Sequence, residues 1–260
     1  MALLLVFIIT IISGLVAVTG GNGLILMPAL LIMDFDIKEI LVLVRISAVV
    51  FVAFNLLAMI SDKKPLRFGK QDLFITFISC ITVLLSINFL NKLDNTMLMF
   101  VISIILIGLF FLVIFKPQSH VLSWVFILLL PIFAGICGSA VGGAGLIISI
   151  LYTLLGASPL EAVQKRVIPS LVIQILSFIV FLSHGIKVDM HLMLIVIFAT
   201  AIAGYLNMKI FMKLSPRNGK ILFYASFLFS IGNLLEDAVE NILNSRGEGW
   251  SHLLTFLPFQ

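Results

Sequence analysis

Thr19-Gly20-Gly21-Asn22-Gly23-Leu24 interrupts the first apolar run of the chain. Val141-Gly142-Gly143-Ala144-Gly145-Leu146 interrupts a later one, Gly142 lying 122 residues after Gly20. Each glycine lowers helix preference by about 1 kcal/mol relative to alanine, so three in four positions predict an opened helix. In lipid an opened backbone has to find partners within the protein or line a wet cavity. Two such breaks, each feeding a short apolar helix, point to a transporter's binding site. Close helix packing through small residues is the alternative reading.

The surroundings of the two breaks are those of a membrane protein. The chain has 260 residues, 62% of them hydrophobic and 11% charged, with a mean hydropathy of +1.26. Apolar runs of about 20 residues, the length that crosses a ~30 Å hydrocarbon core, recur from end to end. The fold expected is all-α and polytopic, with almost no domain outside the bilayer. The formal charge of +4 is carried mainly by short connections, as the positive-inside rule requires, so no nucleic-acid partner is expected. Cys80 and Cys137 lie within apolar runs and read as small buried hydrophobes. No His/Cys cluster has metal-ligand spacing, and no metal or cofactor is expected. Residues 2–18 are apolar, but no Lys or Arg precedes Lys38, which argues against a cleaved signal peptide.

The chain falls into two similar halves, 1–120 and 121–235, with an amphipathic tail at 236–260. In the first half an apolar helix to Val18 precedes the break, and a short helix runs from Leu24 to Met33. Long segments follow at Ile37 to Ile60, Gln71 to Phe89 and Thr96 to Phe115. In the second half the matching pieces are Val121 to Ala140, Leu146 to Leu155, Leu160 to Leu182, Met190 to Met212 and Ile221 to Leu235. Glu39 corresponds to Glu161. Arg45 corresponds to Arg166 after a one-residue slip, and Leu66-Arg67-Phe68 to Ile186-Lys187-Val188. The order of features predicts a duplicated four-segment unit. If each opening segment turns back at its break, or crosses twice, the halves are inverted, and Lys63, Lys64, Arg67, Lys70, Lys116, Lys213, Arg217 and Lys220 all face the cytoplasm. If it crosses once, the two basic loops lie on opposite sides. The Lys/Arg bias favours inversion.

Arg45 lies about 12 Å into its helix at 1.5 Å per residue, and Arg166 at a similar depth in the matching one. An arginine inside the bilayer costs at least ~2.5 kcal/mol and usually faces a cavity or a partner. Two at equivalent places are expected to meet near the interface between halves and clamp an anion with forked, charge-assisted hydrogen bonds, helped by the N-termini of the short helices. The substrate-binding residues expected are Gly20, Gly21, Asn22, Gly23, Arg45, Ser47, Ser139, Gly142, Gly143, Gly145, Arg166 and Ser170, with Gln174 nearby. The alternative is that each arginine snorkels to the headgroups or pairs with Glu39 or Glu161. Asn55, Asn207 and Asn233 are expected to bond across helices. No nucleophile and base, and no metal set, stands at membrane depth, so no catalytic residue and no enzyme activity is expected.

At the paired breaks the chain resembles the TauE/SafE family of membrane transporters, the sulfite exporters. The first copy of the pattern reads Gly20-Gly21-Asn22-Gly23-Leu24-Ile25-Leu26-Met27-Pro28. The second is Gly142-Gly143-Ala144-Gly145-Leu146, followed by Ser158-Pro159-Leu160-Glu161-Ala162-Val163, and Gly185-Ile186-Lys187-Val188-Asp189 resembles a short loop of the family. The chain departs from the pattern where the family often carries a Thr-Ser pair: it reads Arg45-Ile46-Ser47 and Arg166 to Ser170, with Pro169 between. The resemblance extends to about Leu235. It implies a multi-pass protein of the bacterial inner membrane that moves sulfite, a sulfonate or a related small anion, powered by a gradient because no nucleotide-binding motif is present. The expected partners are that anion and the lipid bilayer, with a homodimer left open. A structural or assembly subunit, or an intramembrane enzyme, is the rival reading.

Overall fold

The computed structural model describes residues 2–90, 107–108, 111, 120–183, 188–226, 228–229 and 232, with single gaps at 32, 34, 36, 65 and 67. Most of the expected span from Thr96 to Phe115, most of the connections at 91–95, 116–120 and 183–189, Asn233 and the tail at 236–260 lie outside the described residues.

Among the described residues every regular element is a helix. These are α1 (Ala2–Val16), α2 (Asn22–Leu31), α3 (Ile37–Ser61), α4 (Lys70–Leu90), α5 (His120–Val141), α6 (Ala144–Leu154), α7 (Pro159–Lys165), α8 (Val167–Leu182) and α9 (Met190–Lys213). Glu39–Ser61 and Met190–Lys213 are each long and apolar enough to cross a membrane. The pair α7 and α8 makes a third such span if its 42° bend is counted within one.

The outside of the bundle is greasy and the inside holds polar groups. Leu85 is 71% exposed and Trp124 69%, and Leu4, Phe77, Phe198 and Ile179 also face outward. Arg45, Arg166, Asn22, Asn55, Gln174 and Asn207 are buried. Water-soluble domains do the reverse. The arrangement suits a solvent with no hydrogen bonds to offer, in which polar groups have to be satisfied internally.

α3 and α9 lie side by side and run the same way. At one end the Asp189 amide donates to Glu39 Oε1 at 3.0 Å. At the other, Lys209 forms an ion pair with Asp62. Between them the backbones touch: a Cβ on Gly204 would stand 2.7 Å from Phe51 O, the close approach that small residues permit between membrane helices.

Two helical hairpins enter this frame from opposite ends. α1 terminates where Asn207 Nδ2 donates to Gly14 O and Leu15 O, at 2.9 and 2.8 Å, two residues from the Asp62–Lys209 pair. After the first break α2 leads back to α3 at the Glu39 end. α5 runs to Ser139, whose carbonyl meets Arg45 near the Glu39 end. α6 then returns to Tyr152, whose hydroxyl donates to Asp72 Oδ1 in the first turn of α4. Asp72 Oδ2 also accepts from the Gly69 amide at 2.7 Å.

Three boundaries differ from the sequence reading. α2 and α6 begin at Asn22 and Ala144, two residues early, so Gly23 and Gly145 sit inside helices and only the first two glycines of each motif form the break. The expected helix from Leu160 to Leu182 is two, parted at Arg166. Pro169 accounts for the parting: it has no N–H for the Lys165 carbonyl, four residues back, and its ring crowds that carbonyl. The basic turn after α9 is also shorter than expected. Helix resumes at 216, with Pro216 in its first turn and Ser215 Oγ accepting from the Asn218 amide at 3.3 Å, as proline and serine favour at a helix start.

Candidate functional site

Each break turns on a glycine in the left-handed region: φ is +90° at Gly20 and +70° at Gly142. Only glycine enters that region without a Cβ penalty. Opening the helices frees carbonyls that lipid cannot satisfy, and side chains from distant helices take them up. Val18 O accepts from Arg166 Nη2 at 3.1 Å, and Thr19 O from Ser149 Oγ at 3.1 Å. At the second break Ser139 O accepts from Arg45 Nη2, Gly142 O from Gln174 Nε2 at 2.9 Å, and Gly138 O from Ser177 Oγ at 3.2 Å.

The two breaks come together at Arg166. A Cβ on Gly20 would lie 2.2 Å from Arg166 Nη1, and one on Gly145 would lie 2.8 Å from the same atom and 3.0 Å from Gly20 O. The guanidinium therefore occupies the space that these two glycines leave, between the opened backbone and the first turn of α6. Arg166 is 0% exposed. Of the five N–H donors on its guanidinium, those on Nε and Nη1 have no partner among the described residues.

Arg45 is engaged more fully. Nη1 donates to Leu41 O at 2.8 Å, Nη2 donates to Ser139 O, and the Phe181 ring covers the guanidinium face, 3.7 Å from Cζ to ring centroid. It is 4% exposed. Both guanidiniums are enclosed by the protein. Glu39 is taken by the Asp189 amide, and Glu161 closes a capping box with Ser158 at the start of α7.

The remaining expected residues divide. Asn22 Nδ2 donates to Ser47 Oγ at 2.9 Å, and Ser47 Oγ lies 3.0 Å from Thr200 Oγ1, a buried polar chain joining α2, α3 and α9. Ser139 Oγ bonds Gly135 O at 2.9 Å and lies 2.7 Å from Ser86 Oγ, so its carbonyl, and not its hydroxyl, meets Arg45. Gly142 packs on Val44 and Ala48, and Gly143 on Leu24. Gly21 and Gly23 are buried. Ser170 Oγ, Gln174 Oε1 and Asn22 Oδ1 are buried and have no partner among the described residues, and the same is true of both polar atoms of Asn55. Asn207 bonds across helices as expected; Asn55 makes no such bond among the described residues. Among the described residues no group of three His, Cys, Asp or Glu is placed to hold a metal ion.

Sequence reasoning passed over Ser149, Ser177, Thr200 and Phe181. A signal existed for one of them: Ser170, Gln174 and Ser177 repeat at the i, i+4, i+7 spacing of one helix face, and that face of α8 meets the second break. Nothing local marked the others.

Among families, the one described as Sulfite exporter TauE/SafE matches residues 2–234. No curated protein and no solved structure shows significant similarity to the chain.

Proposed function

The chain belongs to the TauE/SafE family of sulfite exporters, multi-pass membrane transporters, and on that premise we propose that it is a secondary transporter moving a small oxyanion by alternating access. Sulfite, a sulfonate or a related sulfur-containing or organic anion is the substrate class, and the bacterial inner membrane the location. The observation that carries this reading is the Arg166 guanidinium, fully buried between the two breaks with donors to spare. Burying an uncompensated cation costs several kcal/mol, and an arriving anion offsets that cost at the place where the charge is held. The N-terminal turns of α2 and α6, on either side, add the positive ends of their dipoles. Asn22, Ser47, Ser170, Gly20 and Gly145 complete the pocket, with Gly21, Gly23, Gly142 and Gly143 shaping its backbone and Arg45 and Ser139 at its border.

In this reading residues 1–120 and 121–235 are inverted repeats. The opposed hairpins α1–α2 and α5–α6 support it. So do the unlike directions of matching helices: α3 runs from the Glu39 end to the Asp62 end, whereas α7 and α8 run toward Asp189. The Asp62–Lys209 pair also brings the basic connections at Lys63, Lys64 and Lys70 and at Lys213, Arg217 and Lys220 to one end of the bundle. Reporter domains fused after Leu66 and after Ser215 are accordingly expected to report the cytoplasm both times; signals from opposite sides would end the inverted arrangement.

The transport reading is tested with purified protein in lipid vesicles. Saturable uptake of sulfite, or of a sulfonate or carboxylate from the same panel, above that of empty vesicles is the expected result. Uptake indistinguishable from empty vesicles across the panel overturns it.

A further inference from the structure

We propose that Arg45 and Arg166 are stations in series along the path of the anion, not two jaws closing on one anion, and that in this structure the Arg45 station is shut by Phe181. The proposal rests on the transport reading above and deepens it. It departs from the clamp that the sequence suggests.

The first ground is position. Arg45 is six residues from Glu39, about 9 Å along α3, and so belongs to the Glu39–Asp189 end. Arg166 precedes the 16 residues of α8, which runs toward that same end, and so lies about 24 Å of helix away from it. The hairpins fit this ordering. Arg45 meets the apex of α5–α6 through Ser139 O, and Arg166 meets the apex of α1–α2 through Val18 O. The Arg166 guanidinium thus lies where the breaks meet, and Arg45 lies at the apex of α5–α6 on the side of the Glu39–Asp189 end.

The second ground is occupancy. Arg166 keeps Nε and Nη1 unpartnered, whereas Arg45 has both terminal nitrogens on carbonyls and only Nε left over. The Phe181 ring lies 3.7 Å from Arg45 Cζ, and a ring over a desolvated guanidinium is worth about 2 kcal/mol of attraction in general, which an incoming anion has to displace. The asymmetry is written in the sequence. Phe181 stands 15 residues after Arg166, and the residue 15 after Arg45 is Ile60, which is 52% exposed and turned outward. The second half carries an aromatic cover for the first half's arginine, and among the described residues of the first half no ring lies over Arg166 in return. Arg166 is the station open to ligand; the Phe181–Arg45 pair is the closed port at the Glu39–Asp189 end.

The test reads sidedness. Cys80 and Cys137 are replaced by alanine, and Arg45→Cys or Arg166→Cys is introduced in vesicles of known orientation. An anionic, membrane-impermeant thiosulfonate reagent is then applied from one side at a time. Arg45→Cys is expected to react only from the Glu39–Asp189 end and Arg166→Cys only from the Asp62–Lys209 end. Adding Phe181→Ala is expected to speed the first reaction about 10-fold, a barrier change of about 1.4 kcal/mol, because it removes the ring that shields position 45 from the reagent, and to leave the second unchanged. Reaction of both from the same end, of neither, or an equal effect of Phe181→Ala on both overturns the series arrangement. Should loss of a guanidinium prevent folding, Phe181→Cys and Ser170→Cys, with both arginines in place, are read for the same opposite sidedness. Sulfite flux through the unmodified chain is measured separately: its absence counts against the transport reading, whereas the labelling pattern bears on the series alone.

Discussion

Arg166→Gln is expected to lower sulfite flux in reconstituted vesicles by about 100-fold or more, the equivalent of ~2.7 kcal/mol. The guanidinium is the group with unpartnered donors between Gly20 and Gly145, and glutamine neither carries the charge nor reaches as far. Arg166→Lys keeps the charge as a compact ammonium without the planar fork, so it is expected to fall between wild type and Arg166→Gln. Stability should move the other way from activity. Removing a buried, incompletely paired cation relieves its desolvation, so the unfolding temperature in detergent is expected to hold or rise even though Val18 O loses its donor. Flux within threefold of wild type for Arg166→Gln would remove this arginine from the substrate path. A large drop in unfolding temperature would instead make it a structural support of the break.

The second large effect is expected at Gly20. Alanine there has to adopt φ near +90°, which costs about 1–2 kcal/mol for an L residue, and its Cβ would overlap Arg166 Nη1 at 2.2 Å. The guanidinium has to leave the gap between the breaks. Gly20→Ala is therefore expected to destabilise the protein by about 2 kcal/mol or more and to cut flux at least ~10-fold, since both terms act on one spot. Gly219→Ala is the control: its Cβ would meet the Phe211 ring at an ordinary 3.8 Å, and its effect is expected to stay within ~0.5 kcal/mol. The pair Gly20→Ala and Arg166→Gln should be less than additive, because removing the guanidinium removes the clash. Full additivity in a double-mutant cycle would show that the two residues do not share the space.

The motif glycines divide their labour in a way composition alone does not announce. An opened backbone and close packing both occur in the glycine runs, at different positions. Gly20 and Gly142 open the backbone by conformation, while Gly143 and Gly145 admit close neighbours, Leu24 in one case and the Arg166 guanidinium in the other. The alternatives for the arginines fare differently. At 4% and 0% exposure neither snorkels, and the two glutamates named as partners hold backbone amides instead.

Some of what the structure displays was written locally and could be read there. Hydropathy, the length of the apolar runs, the positions of the breaks, the depth of Arg45 and Arg166 and the family pattern are properties of neighbouring residues. They state what each short stretch costs in lipid or in a helix. The parting at Arg166 was legible in the same way, three residues before Pro169, and so was the polar face of Ser170, Gln174 and Ser177.

Tertiary structure alone decided which group answers which cost. Arg166 reaches a carbonyl 148 positions away, Ser149 one 130 away, and Phe181 covers an arginine of the other half. A freed carbonyl in a membrane interior requires a donor, and the sequence shows that requirement; the identity of the donor depends on where helices distant along the chain come to rest. The apolar surface of these helices constrains their packing only weakly, because lipid and protein interior are equally greasy solvents. The polar contacts at the breaks are what distinguish one arrangement from another, and they exist only once the helices are assembled.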